Sequence, residues 1–573
     1  MIPQMDNIKT IQGLNLESPT TRVQISDIEQ SEDVKNLLDH IKDFHPIFIE
    51  SYTFKDGSLS ISSKLPAIWR ESSETFRELS KNKITYKEAE DYVVDTVIKL
   101  QVKSMSTIPI LHKAQQLGYE TTLTVVDEGI IPGVAQGYGT KWNRYYTIGC
   151  GRKSQITCSI SSTLDSIFGK NIQQDKWLTN KLIQRMGLPL PKWNIITSKD
   201  EIDKLWDEYE KPLVIKPTGL TGGKGVSVGI KNREQAYKAY DYAKGQVERG
   251  NRKSWQKKIM LQEQAQGDEN GADYRLLVIN EELKACTKRI PAFVTGNGKS
   301  NIKELIEKEN KDPRRSIRNP AHILKPIDID EPLISFLDKQ NLTLESVPEK
   351  DKRVYVRNVA SMSQGGITED YTDRVSPEIK NIVESIAATM HIFTLGVDII
   401  CKDISKPLTK DNGALLEVNT MPESYLNFFP IIGKERSDAL DYYIQELLKG
   451  NNTQRIVTIG YTQNDIPTLL RNKKIVEKDA NVGVYKENKI IINNCEFSTD
   501  IETWKAVEAL KINALLDTII LQYRDIEEVE EHGLGFDRID FLLITKKMKS
   551  NKDAMRTFRR YKRRGLIKKI KTV

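Results

Sequence analysis

The segment LVIKPTGLTGGKGVSV, residues 213–228, restricts this chain's fold more than any other stretch. Two short apolar runs, KPLVIKP and VSVGI, flank a loop holding Gly219, Gly222, Gly223 and Gly225. Runs this short, bounded by proline and glycine, predict two strands in a hairpin-like relation. Glycines let backbone N–H groups approach a ligand closely, and Lys216 and Lys224 add positive charge. Such a loop suits a polyphosphate. It is not the strand–loop–helix phosphate loop, because G-x-x-x-x-G-K-[ST] is absent. Taken alone, a flexible hairpin loop explains it equally well.

The surrounding sequence extends the pattern. A polar amphipathic helix over Arg233–Glu248 and a strand KIMLQEQ complete a lid-sized unit over about 211–272. In LQEQAQG, an extended segment with Gln262, Glu263 and Ala265 could face an adenine edge, and Asp273 a ribose hydroxyl. An exposed polar strand end is the plainer reading of each. Farther along, GVDII and LLEVN predict neighbouring strands. Period-2 alternation sets Glu417 and Asn419 on one side, and Asp398 ends the apolar run on the other strand. A carboxylate among apolar residues is costly unless paired. Two carboxylates and an amide oxygen are hard donors suited to Mg²⁺, and a buried salt bridge to lysine or arginine is the alternative. Upstream, Gln173–Met186 reads as a helix carrying Lys176.

Composition bounds the rest. The 573 residues predict three or four domains. The hydrophobic fraction of 38% and charged fraction of 29% exclude a disordered or fibrous chain. The net charge of +7 is unevenly spread: residues 546–573 hold 13 Lys/Arg against one acid, Asp553, and leave a slightly acidic body. Five unclustered cysteines argue for a reducing compartment, without a disulfide frame or zinc-thiolate site. No basic-then-apolar leader opens the sequence, and no run approaches about 18 apolar residues. A cytoplasmic multidomain enzyme is expected.

Residues 1–160 predict an α+β domain. Strands are expected at Ile47–Tyr52, Ser58–Ser62 and Thr121–Val126, with a helix from Tyr86 to Val102 whose apolar face is Ala89, Val93, Val97 and Leu100. YRLLVIN and EELKACTKRI predict strands, 301–352 a charged, turn-rich insertion, and 376–392 a helix. A helix over Asp438–Leu448 precedes a boundary near 450. Strands and helices alternate over 451–545, and the last 28 residues predict a basic helix or tail.

Lys176, Lys216, the glycine loop, a hinge strand and D…E-x-N, in that order across 165–430, resemble the ATP-grasp ligases. YRLLVIN, KRIPAFVTGNG, DPRRS, VYVRNVASMSQGG, TDRVSPE, GVDIICKDISKPL and LLEVN further resemble the ATP-grasp domain of cyanophycin synthetases, and IGCGRKSQITCSIS resembles the entry to it. VGVYKENKIIINN, DTIILQ and EEHGLGFDRIDFLLIT are similar to central pieces of the Mur-ligase-like third domain of that family. The family's phosphate loop G-T-x-G-K-T should follow RIVTIG, but the chain reads GYTQND, with Asn464 at the lysine position. The resemblance therefore implies a shorter form with a truncated, degenerate third domain. The implied fold is α/β and α+β multidomain: an N-terminal α+β domain (1–160), a central ATP-grasp fold with its lid (161–450), and a Mur-ligase-like α/β remnant with a basic tail (451–573).

The resemblance implies an ATP-dependent, ADP-forming ligase that activates the C-terminal carboxylate of cyanophycin as an acyl phosphate and joins a β-Asp-Arg dipeptide to it. It implies Lys176, Lys216, Gly222, Gly223, Lys224, Gly225, Gln262, Glu263, Ala265 and Asp273 around ATP, and Asp398, Glu417 and Asn419 on Mg²⁺. Arg357, Arg275 and Lys216 are implied at the reacting groups, and Ser363, Gly365, Gly366 and Arg315 on the polymer. The chain departs from the family where it has Ser361–Gly366 for N-L-S-T-G-G and GLTGGKG for DGNHGRG, and it lacks an N-terminal H-x-x-E-H. A related isopeptide polymer or conjugate is the alternative product, and a catalytically dead scaffold is disfavoured by intact Lys216, Glu417 and Asn419. The expected partners are the dipeptide, the growing polymer and a second copy in a homodimer, with no membrane and no specific nucleic acid. For the basic tail, a solvated helix or docking on an acidic partner face is favoured over nonspecific nucleic-acid binding.

Overall fold

The computed structural model describes residues 7–102, 105–126, 144–220, 224–249, 257–265, 272–316, 319, 321, 324–449, 453–460, 476–477, 479–497 and 502–572. Gly222, Gly223 and Asn464 lie outside the described residues. No helix among the described residues is long and apolar enough to cross a membrane.

The N-terminal part contains two four-stranded antiparallel sheets. One orders Ile8–Ile11, Arg22–Ser26, Ser58–Ser62, Ser51–Lys55; the other runs Thr121–Val126, Arg144–Ile148, Gln155–Cys158, Ser161–Ser162. The strand expected at Ile47–Tyr52 begins at Ser51, because Ile47, Phe48 and Ile49 are buried in the preceding turn. The helical run from Tyr86 to Gln101 starts on a Thr85–Glu88 capping box and passes through a π segment, Asp91–Ile98. The wider π turn keeps residues four apart on one face. Val94 and Ile98 therefore join Val93 and Val97 in the core, while Leu100 is only half-buried.

The lid is a four-stranded antiparallel sheet ordered Ser227–Ile230, Leu213–Pro217, Ile259–Glu263, Trp193–Ile196. Strand alternation divides its residues cleanly. Leu213, Ile215, Ile259 and Leu261 pack under helix Arg233–Arg249, and Val214, Lys216 and Gln262 face the other way. The helix expected over Gln173–Met186 forms at Lys176–Arg185, and a separate helix precedes it. The first, Ile167–Gln173, ends before Asp175, whose carboxylate accepts from Trp177 N at 2.9 Å and starts the second, Lys176–Arg185. Lys176 thereby stands at a helix start.

The core sheet has five antiparallel strands ordered Ile367–Asp370, Glu282–Ile290, Asp273–Ile279, Thr394–Cys401, Gly413–Asn419. Tyr274, Leu276, Val278, Val397 and Ile399 pack on helix Pro377–Met390. Residues 301–352, expected as a turn-rich insertion, form helices Ile302–Glu309 and Glu331–Asp338 around a small core of their own with Val294 and Val354. A second Asn301–Glu304 capping box fixes the first of them.

The C-terminal part is a seven-stranded sheet ordered Cys495–Phe497, Lys489–Ile492, Val482–Lys486, Thr518–Tyr523, Gln454–Ile459, Ile539–Ile544, Ile567–Thr572. Its central pairings are parallel. The expected basic helix or tail is a folded unit. Helix Lys552–Arg563 buries Ala554, Met555, Phe558 and Tyr561, and the chain then pairs as an edge strand. Tyr561 Oη donates to Asn15 O at 2.7 Å, so the helix also clasps the N-terminal segment.

Buried ions join the first and last parts. Lys511 Nζ donates to Glu120 Oε2 at 2.8 Å, Asp537 N donates to Glu120 Oε1 at 2.8 Å, and Lys64 Nζ reaches Asp537 at 3.1 Å. Glu120 and Lys511 side chains are 3% and 5% exposed, so each charge depends on its partner. Replacing one member of such a pair strands the other, whereas replacing both with neutral groups does not. Lys511→Met is expected to cost about 3 kcal/mol in urea unfolding, and Glu120→Gln added to it is expected to recover much of the loss. An unchanged urea midpoint in Lys511→Met would show that the pair does not couple the two parts.

Candidate active site

A cleft of about 910 Å³ separates the lid from the core sheet. Val214, Val226 and Val228 line its lid side, and Ile400, Leu416 and Leu426 its core side. These apolar walls frame a charged floor.

Core-sheet register builds that floor. Thr287, Arg275, Asp398 and Glu417 stand opposite one another across four successive strands. A bulge at Leu416 is what aims Glu417 correctly. Leu415 packs into the core, and with strict alternation Glu417 would follow it there; the extra residue sends Leu416 and Glu417 both to the cleft and returns Val418 to the core. Asn419 lies at the same strand's end, with its buried Nδ2 lacking a hydrogen-bond partner.

Two lysines meet this carboxylate. Lys176 Nζ lies 3.3 Å from Glu417 Oε2 and donates to Leu220 O at 3.0 Å, tying the helix start to the loop after the lid strand. Lys216 is buried at the end of its strand. Burial, and then the neighbouring Lys176, push its ammonium down to about 8, against the opposing pull of Glu417. Between about 8 and the ordinary 10.5 the unfolded chain holds a proton that folded Lys216 lacks. The group therefore weakens the fold below that window, and the loss is relieved as pH rises through it. A buried cation held this way is stabilised by an arriving anion. Gln262 Nε2, on a lid strand, and Thr218 Oγ1, just past the end of the Lys216 strand, are likewise buried without partners.

Two arginines neutralise two aspartates beside them. Arg275 donates to both oxygens of Asp398, with Nη2 to Oδ2 at 3.1 Å. Arg289 Nη2 reaches Asp273 Oδ1 at 2.5 Å and Asp398 Oδ2 at 3.3 Å. Burial alone would raise the Asp398 carboxyl, but Arg275 and Arg289 hold it below the usual range. Asp273 goes the other way, raised by burial that Arg289 only partly offsets. The salt-bridge alternative for Asp398 is thus what the molecule contains, and Asp273, expected on a ribose, is an ion-pair partner.

The other candidates divide. Lys176, Lys216, Gln262, Glu263, Ala265, Asp273, Arg275, Ser363, Asp398 and Glu417 all line the cleft. Glu263 Oε1 accepts from Glu210 N at 3.0 Å, closing the hinge. Lys224 is exposed in the hairpin, and Gly225 (φ +74°) folds it back so closely that a Cβ would lie 2.8 Å from the Pro217 ring. Arg357 and Arg315, expected at the reacting groups and the polymer, do not line the cleft. Arg357 is 4% exposed and donates to Asp330 Oδ1 at 2.6 Å and Asp328 O at 2.8 Å. Arg315 donates to Lys325 O at 2.7 Å and Gly365 O at 3.1 Å. Gly365, in the left-handed region at φ +88°, packs on Ile327, and a Cβ on Gly366 would crowd Ser361 O. All four brace the loop that presents Val359–Ser363 to the cleft; Ser361 and Ser363 hydroxyls lie 2.8 Å apart there.

Sequence reading missed Arg289, Thr287, Glu423, Asn427 and Met105, which also line the cleft. Counting hairpin register back from the Ile279/Glu282 turn sets Lys288 opposite Asp273; the bulge between Leu277 and Val278 shifts the pairing by one residue and brings Arg289 there instead. Nothing local marks the others: Thr287 shares the Arg289 strand, Glu423 and Asn427 follow the Glu417 strand, and Met105 comes from the N-terminal part.

The lid sheet, the antiparallel core sheet and the cleft between them form an ATP-grasp fold within a multidomain α/β chain. Residues 174–282 match the family model described as phosphoribosylglycinamide synthetase, ATP-grasp (A) domain. The chain is similar to the cyanophycin synthetase of Synechocystis sp., 33% identical over 362 residues that cover 59% of this chain and 40% of that protein. It is similar to the cyanophycin synthetase of Geminocystis herdmanii, 32% identical over 55% of this chain and 35% of that one. A solved bifunctional glutathione synthetase from Pasteurella multocida aligns with TM-score 0.46 and 24% identity, covering 65% of this chain and 46% of that one. The matches bear out the resemblance to cyanophycin synthetases; the chain covers two fifths or less of the length of those two relatives.

A buried lysine near 8 makes anion binding pH-dependent. ADP affinity is expected to stay level below pH 8 and then fall, by up to about tenfold per pH unit, as Lys216 loses its proton. Titration calorimetry checks this, with Lys216→Met expected to remove the slope. A wild-type affinity constant from pH 7 to 9.5 would contradict it.

Proposed function

We propose that this chain is an ATP-dependent carboxylate–amine ligase that extends cyanophycin from β-Asp-Arg dipeptides. One observation carries the reading: buried Lys216 and half-buried Lys176 meet Glu417 in a single cleft between the lid and the core sheet, with Asn419 at the end of the Glu417 strand. Cations for phosphates and hard oxygen donors for a divalent ion meet there, as phosphoryl transfer requires.

The donor set fits Mg²⁺. Glu417 and Asp398 bring carboxylates to the cleft, and Asn419, at the end of the Glu417 strand, supplies an amide oxygen. Asp398 would join as a ligand by sharing its oxygens with Arg275 and Arg289. When bound, the ion offsets charge between a carboxylate and the γ-phosphate.

The chain's own residues account for the remaining roles. Lys176 and Lys216 bind phosphate oxygens. The unpartnered Gln262 Nε2 and the Glu263–Ala265 segment face the base, and apolar Val214, Val226, Ile400 and Leu416 enclose it. Arg275 orients the acceptor carboxylate and the acyl phosphate that forms from it. A free carboxylate is a poor acyl donor because oxide is a poor leaving group; its phosphate leaves readily when the amine attacks. The lid excludes water during that interval. Ser361 and Ser363 offer hydroxyl donors to the polymer end, on the loop that Arg315 and Arg357 brace.

Phosphate release from ATP is expected with β-Asp-Arg and a cyanophycin primer, and not with a panel of single amino acids. Glu417→Ala is expected to lower turnover at least about a thousandfold with unchanged circular dichroism. Release with a different amine alone would redirect the substrate assignment; full activity in Glu417→Ala would remove the proposed site.

A further inference from the structure

The lid strand Ser227–Ile230 is irregular where it borders the cleft. Ile230 pairs with Leu213 and Ser227 with Ile215, so Val228 and Gly229 together stand opposite Val214. Gly229 lies in the left-handed region at φ +72°, which such a bulge favours. The extra residue decides which side chains reach the cleft. Val226 and Val228 line it, and strict alternation would send Ile230 after them; instead Ile230 joins Leu213 and Ile215 in the lid core. At the bulge the Gly229 N–H donates to Gln264 Oε1 at 2.7 Å. An N–H can only donate, which fixes the amide with its oxygen toward Gly229. Gln264 directly follows the strand Ile259–Glu263, on the far side of Leu213–Pro217 from Ser227–Ile230. Gln264, Val214 and Val228 all line the cleft, so this side chain crosses a whole strand on the cleft face.

Resting on the nucleotide site proposed above, we propose that Gln264 is a positioning residue: it straps the glycine hairpin to the hinge and so sets where Lys224 and Gly225 stand over the phosphates. The two ends of the strap differ in freedom. At the hinge, Glu263 N donates to Lys192 O at 2.9 Å, Gln264 N donates to Pro212 O at 3.0 Å, and Glu263 Oε1 accepts from Glu210 N. At the hairpin, Ser227–Ile230 is the edge strand of its sheet, interrupted by the bulge, and Val228 is 65% exposed. The strap carries the fixed position of the first end to the second. Fold stability is not what it serves, because the bond is exposed and water replaces it readily. It orders the hairpin before the nucleotide arrives, so that binding the phosphates costs less freedom. The base and the phosphates of one nucleotide thus meet surfaces that a single side chain holds together.

Titration calorimetry with ADP and with adenosine, in magnesium buffer on the full wild-type chain and on Gln264→Met, tests this. Methionine keeps the length of the side chain and removes the acceptor. In Gln264→Met, ADP affinity is expected to fall about three- to tenfold, the worth of one hydrogen bond, and adenosine affinity by less than about twofold, because adenosine carries no phosphate for the hairpin to meet. An equal loss for both ligands would make Gln264 a contact of the base alone and overturn the proposal, as would an unchanged ADP affinity. Hydrogen exchange reads the strap itself: with ADP bound to both proteins, the Gly229 amide is expected to exchange faster in Gln264→Met than in wild type, and equal rates would overturn the assignment. A wild-type chain that binds neither ADP nor adenosine overturns the nucleotide site itself, a separate and recognisable failure.

Discussion

Charge compensation beneath the cleft is the constraint on which the rest of the molecule depends. Asp398 and Asp273 are covered by the core sheet, where an isolated carboxylate is prohibitively costly. Arg275 and Arg289 answer them in the same register, so the two pairs leave almost no net charge. Glu417 is answered by Lys176. Lys216 is then the residual cation of this group, depressed by burial and by Lys176, and it marks where an anion is wanted. Among these residues the charges are balanced in pairs, with Lys216 left over.

Backbone geometry places these groups. The Leu416 bulge sends Glu417 to the cleft, the Asp175 cap sets Lys176 at a helix start, and Gly225 lets the hairpin turn back on Pro217. None of these side chains could be aimed by a regular strand or an uninterrupted helix. The small helical unit plays a comparable part at a distance. Arg357 and Arg315 do not reach the substrate cleft; they lock Asp330, Lys325 O and Gly365 O so that Ser361 and Ser363 stay on its rim. The first and last parts of the chain clasp each other through Glu120, Lys511 and Tyr561, and the first part then reaches the cleft at Met105.

Features with a short-range cause were legible in the sequence. Alternation in LVIKP and IMLQE separates core from cleft residues, and the Thr121–Val126 and Ser58–Ser62 strands fall where their β-branched and small residues put them. The D…E-x-N pattern led to the floor of the site. What failed depended on three-dimensional pairing. Arginines in DPRRS and VYVRN look like anion binders in one dimension, and only packing reveals that their guanidiniums are spent on Gly365 O and Asp330. Arg289 was overlooked because its meaning comes from the strand opposite. At the basic C-terminus a helix was one of the two readings; what its charges masked is the interleaved apolar stripe, Ala554, Met555, Phe558 and Tyr561, that packs it into the fold.

The central claim is that this cleft transfers phosphate to a carboxylate before an amine displaces it. Isotope transfer tests that most directly: a primer labelled with ¹⁸O in its terminal carboxylate is turned over with ATP and β-Asp-Arg, and the released phosphate is weighed by mass spectrometry. One ¹⁸O per phosphate is the result this account predicts, because the bridging oxygen leaves with phosphorus. Phosphate carrying no label, with product formed, would contradict it.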